Sequence, residues 1–170
     1  MISSVQITQV DFSDVNLFFK NFDFTSDSLH IQKYVGFIEE ATFCYQNILH
    51  KIYDVKEDEV IGFTALSTTK EVDDISGILV EFLYLKAQYR GKTDEISQSK
   101  YSYLLLDYII ATSIEIQKKI AINHIYLVPI NAKVRDIYHR YGFENIPGSG
   151  NSEFEDYMVF NLLDEDPTIL

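Results

Sequence analysis

Residues 124–143 read HIYLVPINAKVRDIYHRYGF, and the fold is decided by how this stretch is read. The apolar run from His124 to Val128 predicts a strand. Asn131 then stands where a helix N-cap is expected, and the spacing predicts a helix over residues 132–141 closed by Gly142. Arg135, His139 and Arg140 give that helix a basic face near its C-terminal end, where the helix dipole favours positive charge. Tyr138 sits between Val134 and Gly142. From the residues alone it either packs with Val134 and Ile137 on a core face or serves chemistry.

Upstream, residues 78–85 predict another strand, which leads into Ala87-Gln88-Tyr89-Arg90-Gly91-Lys92. A strand, a short turn with glycine and a helix N-terminus is a general way to bind phosphate through free backbone amides and the helix dipole. Arg90 and Lys92 add charge for a diphosphate, and Gly91 lets the backbone come close. The alternative is a solvated basic turn that only links strand to helix.

Outside these stretches, residues 5–10 alternate like a short strand, and Ser13 or Asp14 is placed to cap a first helix through Phe19. A second helix is expected after Ser26-Asp27-Ser28, with Leu29, Tyr34, Phe37, Ile38, Ala41 and Cys44 or Tyr45 near a 3.6-residue period. Strands follow over 51–55, 60–68 and 76–85, joined by polar turns, then a long helix over 99–119. A last strand is expected over 156–162, before the acidic tail Asp164-Glu165-Asp166. The order describes an α+β or α/β sandwich: a mixed, mostly antiparallel sheet flanked by helices in a single domain spanning 1–170.

Composition narrows the function classes. The chain has 170 residues with Lys and Arg totalling 14 against 26 Asp and Glu, a formal net charge of −12. Such a surface repels phosphate backbones and anionic lipid, so nucleic acid and membrane are disfavoured partners, while amines and other cations are attracted. The same acidity also serves solubility. One cysteine, Cys44, excludes an intramolecular disulfide, and its apolar neighbours suggest a buried thiol. His30, His50, His124 and His139 lack metal-ligand spacing, so no metal site is expected. Without a signal-peptide pattern or a long apolar run, a cytoplasmic location is expected.

Taken together, Asn131, Tyr138 and Gly142-Phe143, preceded by Tyr89-Arg90-Gly91-Lys92 at the end of a strand, resemble the GNAT acetyltransferase superfamily. In that family a strand ending in Asn is followed by a helix carrying Tyr and then Gly-Phe at these spacings, and the earlier turn looks like its acetyl-CoA signature. Phe22-Asp23 before Leu29, and Val60-Ile61-Gly62-Phe63-Thr64-Ala65-Leu66-Ser67, are similar to the GNAT toxins of toxin–antitoxin pairs, whose substrate is charged tRNA. Phe24 and Thr25 stand where those toxins usually have Cys-Gly. A second departure lies in the turn itself: residues 93–98 intervene before the helix, and Lys100 and Ser102 occupy the expected glycine positions. Asp94-Glu95 beside a diphosphate is unfavourable unless the loop bends outward.

The resemblance implies acetyl-CoA as co-substrate and direct attack of an amine, on a small molecule or protein, at the thioester. It implies Tyr138 as the acid for the departing thiolate, a role that a phenol of pKa about 10 suits. It places strand amides at Leu83 and Leu85 on the pantetheine arm, and Arg90, Gly91, Lys92, Lys100 and Ser102 around the diphosphate, with Asn131 as a further cofactor contact. Glu81 is the only charge in residues 78–85 and shares a face with Leu79, Leu83 and Leu85. Partial burial makes it a base candidate, and a salt-bridged or edge-facing Glu is the alternative. A degenerate acyl-CoA-binding module without turnover and a tRNA-directed toxin are the rival functions. A homodimer is left open.

Overall fold

The computed structural model describes residues 4–69, 76–150 and 156–164. Its principal elements are β1 (Val5–Gln9), α1 (Val15–Phe18), α2 (Leu29–Phe43), β2 (Ile48–Asp54), β3 (Glu59–Thr69), β4 (Gly77–Leu85), α3 (Tyr101–Gln117), β5 (His124–Leu127), α4 (Ala132–Arg140), β6 (Glu144–Asn145) and β7 (Met158–Asn161). The strands are hydrogen-bonded in the order β1-β2-β3-β4-β5-β7-β6. β1 with β2, β2 with β3, β5 with β7 and β6 with β7 pair antiparallel, and β4 with β5 pairs parallel. This is the mixed, mostly antiparallel sheet expected from the sequence. The chain falls into two compact units, Met1–Ser67 with Phe82–Tyr108 and Thr68–Glu81 with Ile109–Leu170.

In the first unit the core is aromatic. Phe63 of β3 lies 5.2–5.7 Å, ring centre to ring centre, from Phe18, Phe19, Phe22, Phe82 and Tyr84. Edge-to-face and tilted contacts at these distances add to the apolar area that each ring buries. α2 covers this cluster with Val35 and Ile38, while Thr42 turns its hydroxyl back to the Ile38 carbonyl. The face named from periodicity is therefore only partly the buried one: Ile38 is buried, but Leu29 and Phe37 are 74% and 66% exposed. Val35, Ile38 and Thr42 follow the i, i+3, i+7 stripe that a helix presents to one side. Cys44 corrects another expectation: it is exposed. It caps the C-terminus of α2, and Tyr45 after it takes φ +56, so the chain turns away before the thiol can enter the core.

The other face of β2 is fastened by two phenols from the start of α3. The Tyr101 hydroxyl donates to Asp54 at 3.3 Å, and the Tyr108 hydroxyl is 2.6 Å from His50 Nδ1. Seven helical residues rise about 10.5 Å and four strand residues about 13 Å, so the two spacings match closely enough for both contacts to form. Asp54 also accepts the Lys56 and Glu57 amides, which shapes the turn into β3. Burial pushes the His50 imidazole down to about 4. Gly62 in β3 is obligatory, because a Cβ there would sit 2.3 Å from the Tyr84 carbonyl oxygen.

The second unit buries Ile125, Tyr126 and Leu127 of β5 with Phe143, Met158 and Phe160. Gly77 admits the Tyr126 ring, which would lie 2.5 Å from an added Cβ. The first expected helix is instead a 3-10 turn, four α-helical residues and a second 3-10 turn across Phe12–Asn21. β6 has no counterpart in the sequence reading, because two exposed polar residues carry no strand period. Glu165 and Asp166 of the acidic tail lie outside the described residues.

Candidate functional site

The residues assigned to the cofactor fall into two sets. Leu83, Leu85, Arg90, Gly91, Lys92, Lys100 and Ser102 lie in the first unit, and Glu81, Asn131 and Tyr138 in the second.

β4 carries Ile78, Val80, Phe82 and Tyr84 on its buried side, and Leu79, Glu81 and Leu83 half-buried on the other. Glu81 thus keeps the company expected of it, at the edge of water rather than deep in the core. The parallel register of β4 with β5 runs from Gly77↔His124 to Val80↔Leu127, while β4 itself continues to Leu85. The last residues of β4 therefore extend past that ladder, and on a period of two the backbone groups of Leu83 and Leu85 share one edge of the strand. Leu85 is buried, and its carbonyl is already engaged.

The segment 93–98, which breaks the family spacing, is a closed excursion. Thr93 bridges Lys100, the Asp94 amide donates to the Ser99 carbonyl at 2.8 Å, and Gln98 turns the chain at φ +59. The Tyr101 amide donates to the Lys92 carbonyl at 3.2 Å. The glycine turn and the N-terminus of α3 are thereby joined across the inserted residues. Asp94 does not face outward: it is fully buried, accepting from the Ser4 hydroxyl and amide and from the Ser97 amide at 2.6 Å. Burial alone raises its pKa, but the bonds from Ser4 and Ser97 outweigh that and hold it at about 2. Glu95 pairs with Lys56 at 2.7 Å on the surface. The two carboxylates are thus both engaged, one anchoring β1 and the other meeting a lysine.

What remains at the turn is a donor set. Gly91 takes φ +75 with nothing within 4 Å of an added Cβ, and Lys92 and Lys100 are exposed. Of the opening amides of α3, that of Tyr101 donates to the Lys92 carbonyl and those of Tyr103 and Leu104 to the Lys100 carbonyl, so the donors offered there come chiefly from Ser102 and the two lysines. Open backbone, two ammonium groups and a helix N-terminus are the chemistry that a diphosphate requires. Arg90 also has partners within the fold. Its Nε donates to the Leu85 carbonyl at 2.8 Å, its Nη2 pairs with Asp27 at 2.7 Å, and its guanidinium lies 5.1 Å from the centre of the Tyr84 ring. It closes the end of β4 while its side chain stays 43% exposed. Asp27, read only as part of a polar helix start, was missed because an Asp before a helix reads as a cap.

In the second unit Asn131 is the N-cap of α4, accepting from the Val134 amide at 3.0 Å. The simpler of its two roles is thus formed. Gly142 at φ +101 ends the helix, and a Cβ there would come within 3.3 Å of Phe160. The Phe143 amide returns to the Tyr138 carbonyl at 3.0 Å, and the two rings are 5.8 Å apart. Burial pushes the Tyr138 phenol up to about 12. It stays protonated across the physiological range, and it is a weaker acid than the phenol of about 10 that the sequence suggests. Of the basic face, His139 Nδ1 is 3.0 Å from the Phe143 carbonyl and Arg140 Nε donates to the Asp136 carbonyl, so both close the end of the helix.

No protein-family model matches the chain. No curated protein matches it either. Solved structures do. The AtaTR complex bound with acetyl-CoA superposes with a TM-score of 0.74 at 13% identity, covering 98% of this chain and 99% of that one. AtaT complexed with acetyl-methionyl-tRNAfMet gives 0.71 at 13%, covering 98% and 99%. A mutant of KacT gives 0.70 at 10%, covering 95% and 96%. The chain has the GNAT fold, and the proteins that share it here include toxins of toxin–antitoxin pairs.

Proposed function

We propose that this chain is an acetyl-CoA-dependent N-acetyltransferase that acts on a primary amine, of a small molecule or a protein, by direct transfer in a ternary complex. The observation that carries the reading is the closed excursion 93–98, since the Lys92–Tyr101 contact leaves the glycine turn adjoining the N-terminus of α3 despite the insertion. In this reading the Leu83 and Leu85 edge of β4 takes the pantetheine arm, and Gly91, Lys92, Lys100 and Ser102 take the diphosphate. Asn131 adds a contact through its amide nitrogen, its oxygen being used in the cap.

Acetyl transfer needs a neutral amine, a polarised carbonyl and a proton for sulfur. The amine nitrogen attacks the thioester carbonyl, the C–S bond breaks, the thiolate takes the Tyr138 hydroxyl proton, and the Tyr138 phenolate regains the proton that the acetylated nitrogen sheds. Glu81, directly or through water, accepts the proton that the ammonium gives up before attack. The net charge of −12 concentrates cationic acceptors around such a site.

Among the described residues no helix is long and apolar enough to cross a membrane. A cytoplasmic location and a homodimer fit the reading. Incubating the chain with acetyl-CoA and a broad amine panel, with thiol release as the readout, tests it. Amine-dependent release is expected, and saturable binding without release on any amine would leave an acyl-CoA-binding module.

A second reading has one observation in its favour: a fold neighbour was solved with acetyl-methionyl-tRNAfMet. Against it stands the acidic surface, which repels phosphate backbones. Growth arrest on expression, relieved by Tyr138→Phe, would decide for tRNA.

A further inference from the structure

Asp27 is the least expected charged residue of the first unit. Its side chain is 3% exposed and sits in the segment just before Ser28, the N-cap of α2. Its amide donates to the Phe24 carbonyl at 3.0 Å, and its own carbonyl accepts from the Gln32 side chain at 2.9 Å, so the backbone on which the carboxylate rides is held at both sides. Oδ1 meets Arg90 Nη2 at 2.7 Å, and Oδ2 accepts the Tyr84 hydroxyl at 2.7 Å. A carboxylate this buried is costly without a cationic partner, which ties Arg90 to it.

The Arg90 side chain is thereby bent back over the turn that precedes it. Nε caps the Leu85 carbonyl, the guanidinium stacks on Tyr84, and the Arg90 and Lys92 amides donate to Ala87 and Tyr89 at 3.3 and 3.2 Å. Side chain and backbone close the same short loop, leaving Gly91 at its open corner. The Arg90 guanidinium is oriented by Asp27 with its side chain still 43% exposed.

Resting on the reading above, we propose that Asp27 is a positioning residue of the acyl-donor turn: its buried carboxylate fixes Arg90 against the end of β4 and so presets the turn 87–92 for the cofactor diphosphate. Calorimetric titration of the full chain with acetyl-CoA tests this on Asp27→Asn, Arg90→Gln and the double variant, with thermal melting in parallel. Asn keeps the shape and an acceptor for Tyr84 but loses the charge. Each single variant is expected to weaken binding by about tenfold, and the pair by no more than either alone, since both remove one tether. Arg90→Lys, which keeps the ion pair but cannot cap Leu85 in the same geometry, is expected to lose a similar factor, and it serves where Asp27→Asn fails to fold. Asp27→Glu is expected to recover part of the affinity.

Unchanged affinity with a lowered melting temperature makes Asp27 purely structural and overturns the proposal. Tighter binding by Asp27→Asn overturns it too, because Asp27 then withholds Arg90 from the anion. So do additive losses. Absence of binding by the wild-type chain would remove the underlying reading, whereas binding by the wild type with unaltered variants removes this inference alone.

Discussion

Residues 89–102 and residues 131–143 both carry assigned chemistry, and they are held in opposite ways. The first stretch departs from the family spacing, yet it is anchored by buried groups: Asp94 on Ser4, Tyr101 on Asp54, Arg90 on Asp27. The second keeps the family spacing at Asn131, Tyr138 and Gly142-Phe143, yet no residue of α4 is fully buried and its ends are fastened by short local bonds. Matching spacing is therefore a poor guide to where structure is strongly tied. The insertion is closed on itself, its ends being bonded to each other at Thr93 and Lys100.

Four experiments break or sharpen that contrast. The largest effect belongs to the loosely tied stretch. Tyr138→Phe is expected to reduce thiol release with an accepted amine by about 10²–10⁴-fold while acetyl-CoA affinity holds, because it removes a proton donor and no packing atom of size. Unchanged turnover would return Tyr138 to a packing role.

Asp94→Ala comes next, and here stability is read. Removing a buried acceptor that satisfies Ser4 and Ser97 should cost about 2–3 kcal/mol in denaturant unfolding. A loss below about 0.5 kcal/mol would mean that the excursion does not anchor β1.

The pH dependence follows from His50. Its folded pKa of about 4 lies below the ordinary value of 6.5, so between those values the unfolded chain binds more protons. Its contribution is present above 6.5 and is lost as pH falls toward 4, by about 3–4 kcal/mol at most. His50→Gln should flatten that slope, measured as unfolding free energy against pH. The smallest effect is Asn131→Ala, about 1 kcal/mol from a lost N-cap.

Strand and helix order, the mixed sheet and the glycine that ends α4 were legible because they are written in local periods and turn residues. Gly142 at φ +101 is the position where a Cβ would be strained. Long-range pairings were not. Nothing local tells that Asp94 reaches Ser4, ninety positions away, or that Arg90 reaches Asp27, sixty-three away. Cys44 failed for a related reason: apolar neighbours suggest burial, but the helix ends at Phe43 and the left-handed Tyr45 redirects the chain. At the candidate site the backbone elements could be read in advance. Which charges would face the cofactor and which would be consumed inside the fold could not, since both kinds are Asp, Glu, Lys and Arg in polar loops.

The central claim is that the joined turn and the start of α3 still bind the acyl donor. Titration calorimetry of the full chain with acetyl-CoA tests it most directly. Saturable binding with one site per chain is the predicted result, and no detectable heat of binding up to millimolar acetyl-CoA would contradict it.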